Sequence, residues 1–363
     1  MSVRGKIIRL PPNRVWRTYP GGRTLDALAG APEPADTHLA EDWIASTTRA
    51  VNRGREQISE GVSQVRVGLD PTPRDFAQLL ASDPEYFLGA VHAKKFGASP
   101  QLLVKFLDSG TRLHFQVHPT REFAQKFLGA PSGKTEAYHI LAVRDDAAEP
   151  PFIYVGFQRP PSRDALGRMI ETQDIAGIEA CFDKIPVRPG DTFIIPGGTP
   201  HALGAGVFMV EIQEPSDLVV RFEFERAGYV LPESARFMGR GLEFCLDVFN
   251  LAPLTAAEID VRVRCRPRRL RALGPSSYQD ELIGASQTDC FRVLKSFLDA
   301  PVVKDLTSCA IAIVTAGEVT VTAGGETHRL RTYDKVFLPA ALGSVAFVPA
   351  PRAEILESYP PAA

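Results

Sequence analysis

The sequence predicts a protein dominated by β-strands, folded as two barrels with a few inserted helices. Thirty prolines and twenty-nine glycines interrupt short apolar runs, which is the rhythm of strands joined by tight turns. Alternating segments recur, most clearly between residues 309 and 350, where the letters AGGE mark a hairpin turn. Only a few stretches repeat at helical spacing. The expected fold class is therefore all-β with helical excursions.

Length and composition describe a well-packed soluble protein of two domains, with 363 residues, 44% hydrophobic and 23% charged. A net charge of -2 argues against a globally basic nucleic-acid-binding protein. Five scattered cysteines without a C-x-x-C pair disfavour a disulfide framework and a thiolate zinc site. No secretory leader or membrane-length apolar run is present. We expect a cytoplasmic monomer or weak homodimer without nucleic-acid or membrane partners.

The chain divides at the points where its pattern changes. Residues 1–235 are predicted to form a first, metal-binding β domain with a helical excursion near 73–97, where Pro73 can start a helix. Residues 236–255 are predicted to form a helical connector, and residues 256–363 a second β domain without metal ligands. The arginine-rich run VRVRCRPRRLR in the second domain is interpreted as one strand with a solvated outer face.

The two halves carry a similar strand-turn-strand segment. YDKVFLPAALGS, from Tyr333, aligns with GDTFIIPGGTPH, from Gly190, and in both an aspartate and a proline recur. Five residues beyond that proline, the first copy has His201 and the second has Ser344. We therefore expect two barrels of similar design and a single active site in the first.

Two segments of the first half concentrate polar side chains on core-type strands. In LHFQVHP the side chains of His114, Gln116 and His118 alternate with apolar ones, so a strand places all three on one face. Imidazoles on an interior face are costly unless they bind each other, water or a metal. A short helix capped by Thr120 then leads to the strand KTEAYHILAV, on which Lys134 and Glu136 share a face.

Together with His201, His118 and Glu136 make an N/O ligand set suited to Zn²⁺, and Gln116 offers a further oxygen. Each residue also has a structural interpretation, because buried histidines are often held by hydrogen bonds alone and Glu136 or Lys134 could face water. The convergence of these groups at turns favours a metal site.

The motifs resemble a known family. The spacing G-x5-P-x4-H, occupied by Gly190, Pro196 and His201, resembles the second signature of cupin barrels. FLDSGTRLHFQVHP, GKTEAYHIL and GDTFIIPGGTPHALGAGVFMVEIQEPSDLVVR, in this order, resemble the class I mannose-6-phosphate isomerases of the shorter bacterial type over about residues 10 to 250. This resemblance implies two cupin jelly-roll barrels, the second of them degenerate.

The resemblance also implies roles for individual residues. It implies that the zinc ligands are Gln116, His118, Glu136 and His201. It implies catalytic roles for Lys134 and Arg221, and a site-shaping role for the segment Glu211, Gln213, Ser216 and Asp217. From the strand pattern alone, Arg221 would equally form an ion pair with Glu211 or Glu223.

The chain departs from the family pattern in two places. His114 stands where the family usually has a small hydroxyl residue that helps hold the phosphate; it is interpreted as substrate-binding, as are Glu211 and Arg112, and Lys105 is a further nearby positive charge. The run from Tyr19 to Gly22 replaces the family's WGG signature, a change predicted to affect packing only.

Three functional hypotheses follow. The first is a zinc-dependent isomerase, with one Zn²⁺ per chain, that interconverts mannose 6-phosphate and fructose 6-phosphate through an enediol. The second keeps the fold and metal but acts on another sugar or sugar phosphate, because His114 changes the pocket. The third is a cupin that binds metal or sugar without turnover.

Overall fold

A computed structural model describes residues 4–67 and 72–362. Strands dominate it, and all their pairings are antiparallel. The strands of the first 235 residues are Ile8–Arg9, Arg14–Val15, Glu41–Ile44, Gln64–Val65, Arg74–Asp75, Leu103–Asp108, Gln116–Val117, Glu136–Val143, Phe152–Val155, Ile185–Pro186, Thr192–Ile195, His201–Leu203, Val207–Gln213, Val220–Arg221, Glu225–Arg226 and Tyr229–Val230. The later strands are Arg268–Ala272, Tyr278–Ile283, Arg292–Leu298, Val302–Asp305, Ala310–Ala323, Glu326–Arg331, Lys335–Leu338 and Ser344–Tyr359.

Helices are short and lie between the strands. The α-helices are Arg23–Leu28, Phe76–Ser82, Pro84–Leu88, Ala90–Phe96, Arg121–Phe123, Arg163–Thr172, Ile175–Ala180, Leu242–Leu246 and Ala256–Glu258; Ala124–Leu128 and Ile259–Val263 are π-helical, and Glu233–Ala235 and Ala340–Leu342 are 3₁₀ turns. The structure thus has helices within the predicted segments 73–97 and 236–255. Among the described helices, none has both the length and the apolar character needed to cross a bilayer.

The proline at position 84 does not end the helical excursion but starts its second helix. Proline is favoured in the first helical turn, where its missing N–H would have no partner, and the Asp83 side chain accepts a hydrogen bond from the Tyr86 N–H. One strand prediction was wrong. Residues 259–263, which include the first three residues of the arginine-rich run, form a helical turn begun by the Thr255–Glu258 capping box, and the strand of this run is Arg268–Ala272.

Two sheets of the first half position the site. One has the strand order Thr192–Ile195, Glu136–Val143, Val207–Gln213, Leu103–Asp108, Glu41–Ile44 and Arg14–Val15. The other has the order Ile185–Pro186, Phe152–Val155, His201–Leu203, Gln116–Val117 and Val220–Arg221. Apolar side chains from both sheets, such as Tyr138, Met209 and Leu203, pack together in one buried cluster between them. The inner faces of the two sheets therefore enclose the first interior.

The outer faces of these sheets are covered as well. Phe115, Val117 and Val220 alternate outward from the five-stranded sheet and pack against helical residues such as Leu166 and Ile170. The opposite face of the six-stranded sheet packs against the helices of residues 76–96 and against part of the second half. Because both outer faces are buried, the polar groups between the sheets have little access to water.

The second half forms a larger sheet with the order Ile8–Arg9, Lys335–Leu338, Ala310–Ala323, Ser344–Tyr359, Arg292–Leu298, Tyr278–Ile283 and Arg268–Ala272. Val302–Asp305 and Glu326–Arg331 pair with its long strands. The N-terminal strand therefore joins the sheet of the second half, although the predicted first domain began at residue 1. The division into domains at 235 and 255 stays a prediction.

The predicted fold class is confirmed: the protein is dominated by antiparallel β-sheet of cupin-like type. Within the described residues the strands form open facing sheets, and no closed barrel is found. The aligned strand-turn-strand segments are also alike in form, since Thr192–Ile195 and Lys335–Leu338 are both strands that end at the shared proline.

A buried charge pair stabilises the interior of the second half. Lys304 Nζ donates to Glu357 Oε1 at 2.6 Å, and the other carboxylate oxygen accepts from Ser296 Oγ at 2.7 Å and Gln279 Nε2 at 2.9 Å. Burial opposes the charge on both partners. Their attraction more than offsets that cost for Glu357, whose pKa is lowered, whereas burial dominates for Lys304, whose pKa is also lowered.

We expect removal of one partner of this pair to lower the free energy of unfolding more than replacement of both partners by neutral side chains. In Glu357→Ala the Lys304 ammonium stays buried without a counter-charge, so we expect the free energy of unfolding in urea to fall by about 3–5 kcal/mol. The double variant Lys304→Met/Glu357→Gln keeps an amide for Ser296 and should lose distinctly less. Equal losses in the two variants would contradict a dominant charge-pair contribution.

Candidate metal centre

Two imidazoles and one carboxylate meet in the interior between the two facing sheets. His118 follows the strand Gln116–Val117, and His201 opens the neighbouring strand of the same sheet, where it pairs with Gln116. Glu136 opens a strand of the opposite sheet. One ligand atom from each of His118, Glu136 and His201 lies within 4.8 Å of the others, and all three side chains are at most 1% exposed. His118 and His201 are 83 positions apart in the sequence (201 minus 118), and the fold brings them together.

Backbone carbonyls orient both imidazoles. His118 Nδ1 lies 2.8 Å from the Leu218 carbonyl oxygen, and His201 Nδ1 lies 2.9 Å from that of Thr199. Because a carbonyl oxygen only accepts, each Nδ1 carries the proton and each Nε2 presents a lone pair. These Nε2 atoms lie 3.2 and 3.5 Å from the oxygens of Glu136. Converging electron-pair donors, oriented by backbone carbonyl oxygens that accept from their other nitrogen, fit a bound cation such as Zn²⁺.

The electrostatics of the site favour the protonation states that a metal requires. Burial, with the charge of Lys134 as the next cause, lowers the pKa of His118 to about 3. Burial alone would raise the pKa of Glu136, but Lys134 and His118 more than offset it and hold that pKa well below its usual range. At neutral pH the imidazole is therefore neutral and the carboxylate ionised, as metal ligands must be.

Gln116 and Lys134 complete the immediate surroundings. Lys134 Nζ lies 2.8 Å from Glu136 Oε1 and 3.2 Å from His118 Nε2, so the predicted shared face of Lys134 and Glu136 is observed. Gln116 Nε2 lies 3.2 Å from His201 Nε2. Since the oxygen and nitrogen of an amide exchange by a flip, Gln116 can present its oxygen at the same position.

A narrow pocket adjoins the triad. Its polar walls include Arg17, Lys105, His114, Lys134, Glu211 and Arg221. Its volume of about 20 Å³ is the space of one water molecule. A wider cavity of about 1480 Å³, lined in part by Arg271, Arg292 and Tyr359, contains none of the three triad residues. The triad residues do not line the narrow pocket either, but Gln116 and Lys134 do, and these contact His201 and Glu136. The triad is therefore approached from the narrow pocket.

Arg221 lies in this pocket as a buried guanidinium without a carboxylate partner among the described residues. Its Nη1 donates to the Ala235 carbonyl oxygen at 3.2 Å. Burial, followed by the charge of Arg17, lowers the pKa of Arg221 to about 10, so it stays positively charged at neutral pH. The alternative ion pair with Glu211 or Glu223 does not form, because those carboxylates bind Lys105 and Arg112.

Of the three residues predicted to bind substrate, two line the pocket and one does not. His114 lines the pocket, with Nδ1 3.0 Å from the Glu223 carbonyl oxygen and Nε2 buried without a hydrogen-bond partner. Glu211 also lines it, and burial, together with the charge of Glu136, raises the pKa of Glu211 to about 8. Arg112 is not among the pocket-lining residues: it binds Glu223 through two hydrogen bonds of 2.6 and 2.9 Å. The structure gives no support to substrate binding by Arg112.

Sequence reasoning missed a charged network behind the pocket. Glu41 accepts from Trp43 Nε1 at 2.6 Å and from the Tyr19 hydroxyl, and it lies 3.3 Å from Arg17 Nε and 3.6 Å from Lys105 Nζ. A glutamate two residues before a tryptophan in the strand EDWI was the available signal, since both side chains share one face. The segment that replaces WGG also contributes more than packing, because Tyr19 and the preceding Arg17 both line the pocket.

Comparison with known proteins shows what the chain resembles. No protein-family model matches the chain. A mannose-6-phosphate isomerase of Streptococcus mutans is 29% identical over 266 residues, which cover 72% of this chain and 76% of that protein. The crystal structure of the mannose 6-phosphate isomerase from Bacillus subtilis superposes with a TM-score of 0.75, covering 98% of this chain and 99% of that one at 20% identity. The chain is therefore similar to mannose-6-phosphate isomerases in sequence and in fold.

A further solved structure is relevant to the triad. A mannose 6-phosphate isomerase bound with zinc and yttrium superposes with a TM-score of 0.69 over 98% of this chain and 100% of that one, at 16% identity. At this identity the likeness concerns the fold alone. The predicted resemblance to mannose-6-phosphate isomerases and the predicted isomerase class are confirmed, whereas the roles of individual site residues stay predictions.

Removing one electron-pair donor tests the metal centre directly. In His201→Ala we expect zinc affinity, measured by competition with a chromophoric chelator, to fall by at least about 100-fold, the upper end of the effect of losing an outer-shell partner. His139→Ala is the matched control, because His139 is equally buried but binds Thr192 Oγ1 outside the triad. Unchanged zinc affinity in His201→Ala would contradict the assignment.

Proposed function

We propose that this protein is a zinc-dependent aldose-ketose isomerase that interconverts mannose 6-phosphate and fructose 6-phosphate through an enediol intermediate. One zinc ion per chain would be held by Gln116, His118, Glu136 and His201. The observation that supports this most is the buried triad whose two Nε2 lone pairs and carboxylate converge beside Lys134. The names of the family relatives supply the reaction class.

The isomerisation moves a proton from C2 to C1 of the open-chain aldose, and a second proton from O2 to O1. It therefore needs a base at the carbons and positive charge at the oxygens. In the proposed scheme Lys134 acts as the unprotonated amine: its Nζ takes the proton from C2 to become an ammonium and returns that proton to C1. Arg221 donates hydrogen bonds to the oxygen that gains negative charge. When bound, zinc would polarise and orient the sugar oxygens without a change of oxidation state.

Substrate entry also requires the pocket to widen, since about 20 Å³ cannot hold a hexose phosphate. An aromatic cluster lies against the pocket-lining segment that begins at Arg17. Trp16 stacks on His38 with ring centroids 5.0 Å apart, and Tyr229 meets Trp16 edge-on at 5.5 Å. In the proposed enzyme this contact separates when substrate enters and re-forms to exclude water.

The second candidate function is isomerisation of another sugar or sugar phosphate. His114 favours it, because an imidazole without a partner on Nε2 occupies the position where the family usually has a small hydroxyl residue. A larger side chain there shortens the pocket and changes its hydrogen-bonding groups.

The first experiment measures fructose 6-phosphate formation from mannose 6-phosphate by zinc-loaded protein, with a metal-stripped sample and free mannose alongside. We expect zinc-dependent turnover of the phosphorylated sugar only. Turnover of other sugars alone would favour the second candidate. No turnover of any aldose by protein that binds zinc tightly would favour a cupin that binds without catalysis.

Lys134→Met separates proton transfer from metal binding. We expect kcat for mannose 6-phosphate to fall by about 10²–10⁴-fold, the usual contribution of a positioned acid-base group, while bound zinc stays at one equivalent. The control Lys295→Met removes a lysine that binds Glu354 in the second half, and its kcat should be unchanged. Full turnover by a zinc-loaded Lys134→Met protein would remove Lys134 from the scheme.

A further inference from the structure

Arg17 reaches the pocket from a segment that the family pattern does not contain. The segment from Arg17 to Pro20 separates Trp16 from Gly21 and Gly22. Its backbone is tied to the neighbouring chain, since the Arg17 N–H donates to the His38 carbonyl oxygen at 2.7 Å. The Arg17 residue is 5% exposed and lines the pocket together with Arg221. The segment therefore adds a second guanidinium to the same buried space.

Hydrogen-bonding capacity remains on both guanidiniums. Arg17 Nη1 and Nη2 donate to the two oxygens of Asp217 at 3.2 and 3.1 Å, which leaves three of its five N–H groups. Its buried Nε is without a hydrogen-bond partner, although Glu41 lies 3.3 Å away. Arg221 donates to a single carbonyl oxygen. Asp217 and Glu41 are thus the two carboxylates beside Arg17.

Most cations of the pocket have a carboxyl group beside them. Lys134 lies 2.8 Å from Glu136, and Lys105 lies 3.2 Å from Glu211. Glu41 lies between two cations, 3.3 Å from Arg17 Nε and 3.6 Å from Lys105 Nζ. Arg221 lines the same pocket without a carboxylate partner among the described residues. Burial, then the charge of Arg17, lowers the pKa of Arg221, as expected for two like charges close together. A guanidinium with free N–H groups beside this second positive charge suits a tetrahedral dianion.

We propose that Arg17 binds the phosphate group of the substrate in the pocket that it shares with Arg221, and that Arg17 is a specificity-determining residue. This inference rests on the proposed function, because a sugar phosphate is the substrate assumed. The run from Tyr19 to Gly22, which replaces WGG, was predicted to affect packing only. In this proposal the same part of the chain supplies Arg17, a residue that binds phosphate. Asp217 then holds the Arg17 guanidinium in place and is itself held by the Val51 N–H at 2.8 Å.

The test uses Arg17→Gln in zinc-loaded protein, with inorganic phosphate as the probe in calorimetry and mannose 6-phosphate as substrate. We expect the Kd of phosphate and the KM of the substrate each to rise by about tenfold or more, the effect of losing a charge-assisted hydrogen bond, while kcat changes less than about threefold. Arg17→Lys, which keeps the charge without the fork, should fall between wild type and Arg17→Gln.

Arg144→Gln is the matched control. Arg144 also binds a carboxylate through two hydrogen bonds, to Asp36 at 2.6 and 2.8 Å, but does not line the pocket. Its Kd and KM should match wild type. Unchanged phosphate binding in a folded Arg17→Gln protein would overturn the inference and leave the isomerase proposal intact. If wild type binds phosphate through Arg17 but converts no sugar phosphate, the proposed function fails and the phosphate site stands.

A second variant keeps the inference testable if Arg17→Gln does not fold. Asp217→Asn retains both guanidiniums and removes one of the two negative charges beside Arg17, and an asparagine can still accept from Arg17 and Val51. We expect phosphate to bind more tightly, with Kd lowered by about threefold or more, because the positive charge of the pocket increases. An unchanged or raised Kd in this variant would count against a phosphate at Arg17.

Discussion

The interior between the two sheets of the first half holds two imidazole lone pairs and a carboxylate that face one another with little access to water. Such a group is unfavourable unless a positive charge lies between its members, because buried electron-pair donors lose their hydration without gaining a proton. The described structure meets this requirement partly through the Lys134 ammonium. The remaining architecture depends on this constraint: both sheets must face inward here, and both outer faces must be sealed by apolar packing.

The charges around the triad form one continuous network and not a set of isolated pairs. Glu136 is held by Lys134 and the Tyr138 hydroxyl. Glu41 accepts hydrogen bonds from Tyr19 and Trp43 and lies beside two cations, Arg17 and Lys105. Burial raises the pKa of Glu41, but Arg17 and Lys105 more than offset that effect and lower it overall. Because each buried charge relies on its neighbours, truncating one member exposes the desolvation cost of the others.

The second half contains a similar sheet, and its described residues include no metal-capable cluster. Its buried network of Lys304, Glu357, Ser296 and Gln279 has a donor for each carboxylate oxygen. The triad differs, because two imidazoles and a carboxylate each bring a ligand atom within 4.8 Å of the others. Ser344 stands at the start of a strand where the first half has His201, and within the described residues the His118, Glu136 and His201 group is the metal-capable cluster that the structure contains. Converging electron-pair donors thus distinguish the candidate catalytic half from the structural half.

The sequence by itself determined which side chains share a face, because alternation along a strand is local. His114, Gln116 and His118 face inward while Phe115 and Val117 pack outward, and Lys134 meets Glu136 as the spacing predicts. Tertiary structure decided the partners. Arg112 lies two residues from His114 but binds Glu223, whereas Arg17, almost a hundred residues earlier in the chain, enters the pocket. Long-range pairing depends on sheet order and loop path, which period-two alternation does not encode. The same limit explains residues 259–263, where a capping box and burial against Phe193 favour a helical turn over the strand that their alternation suggested.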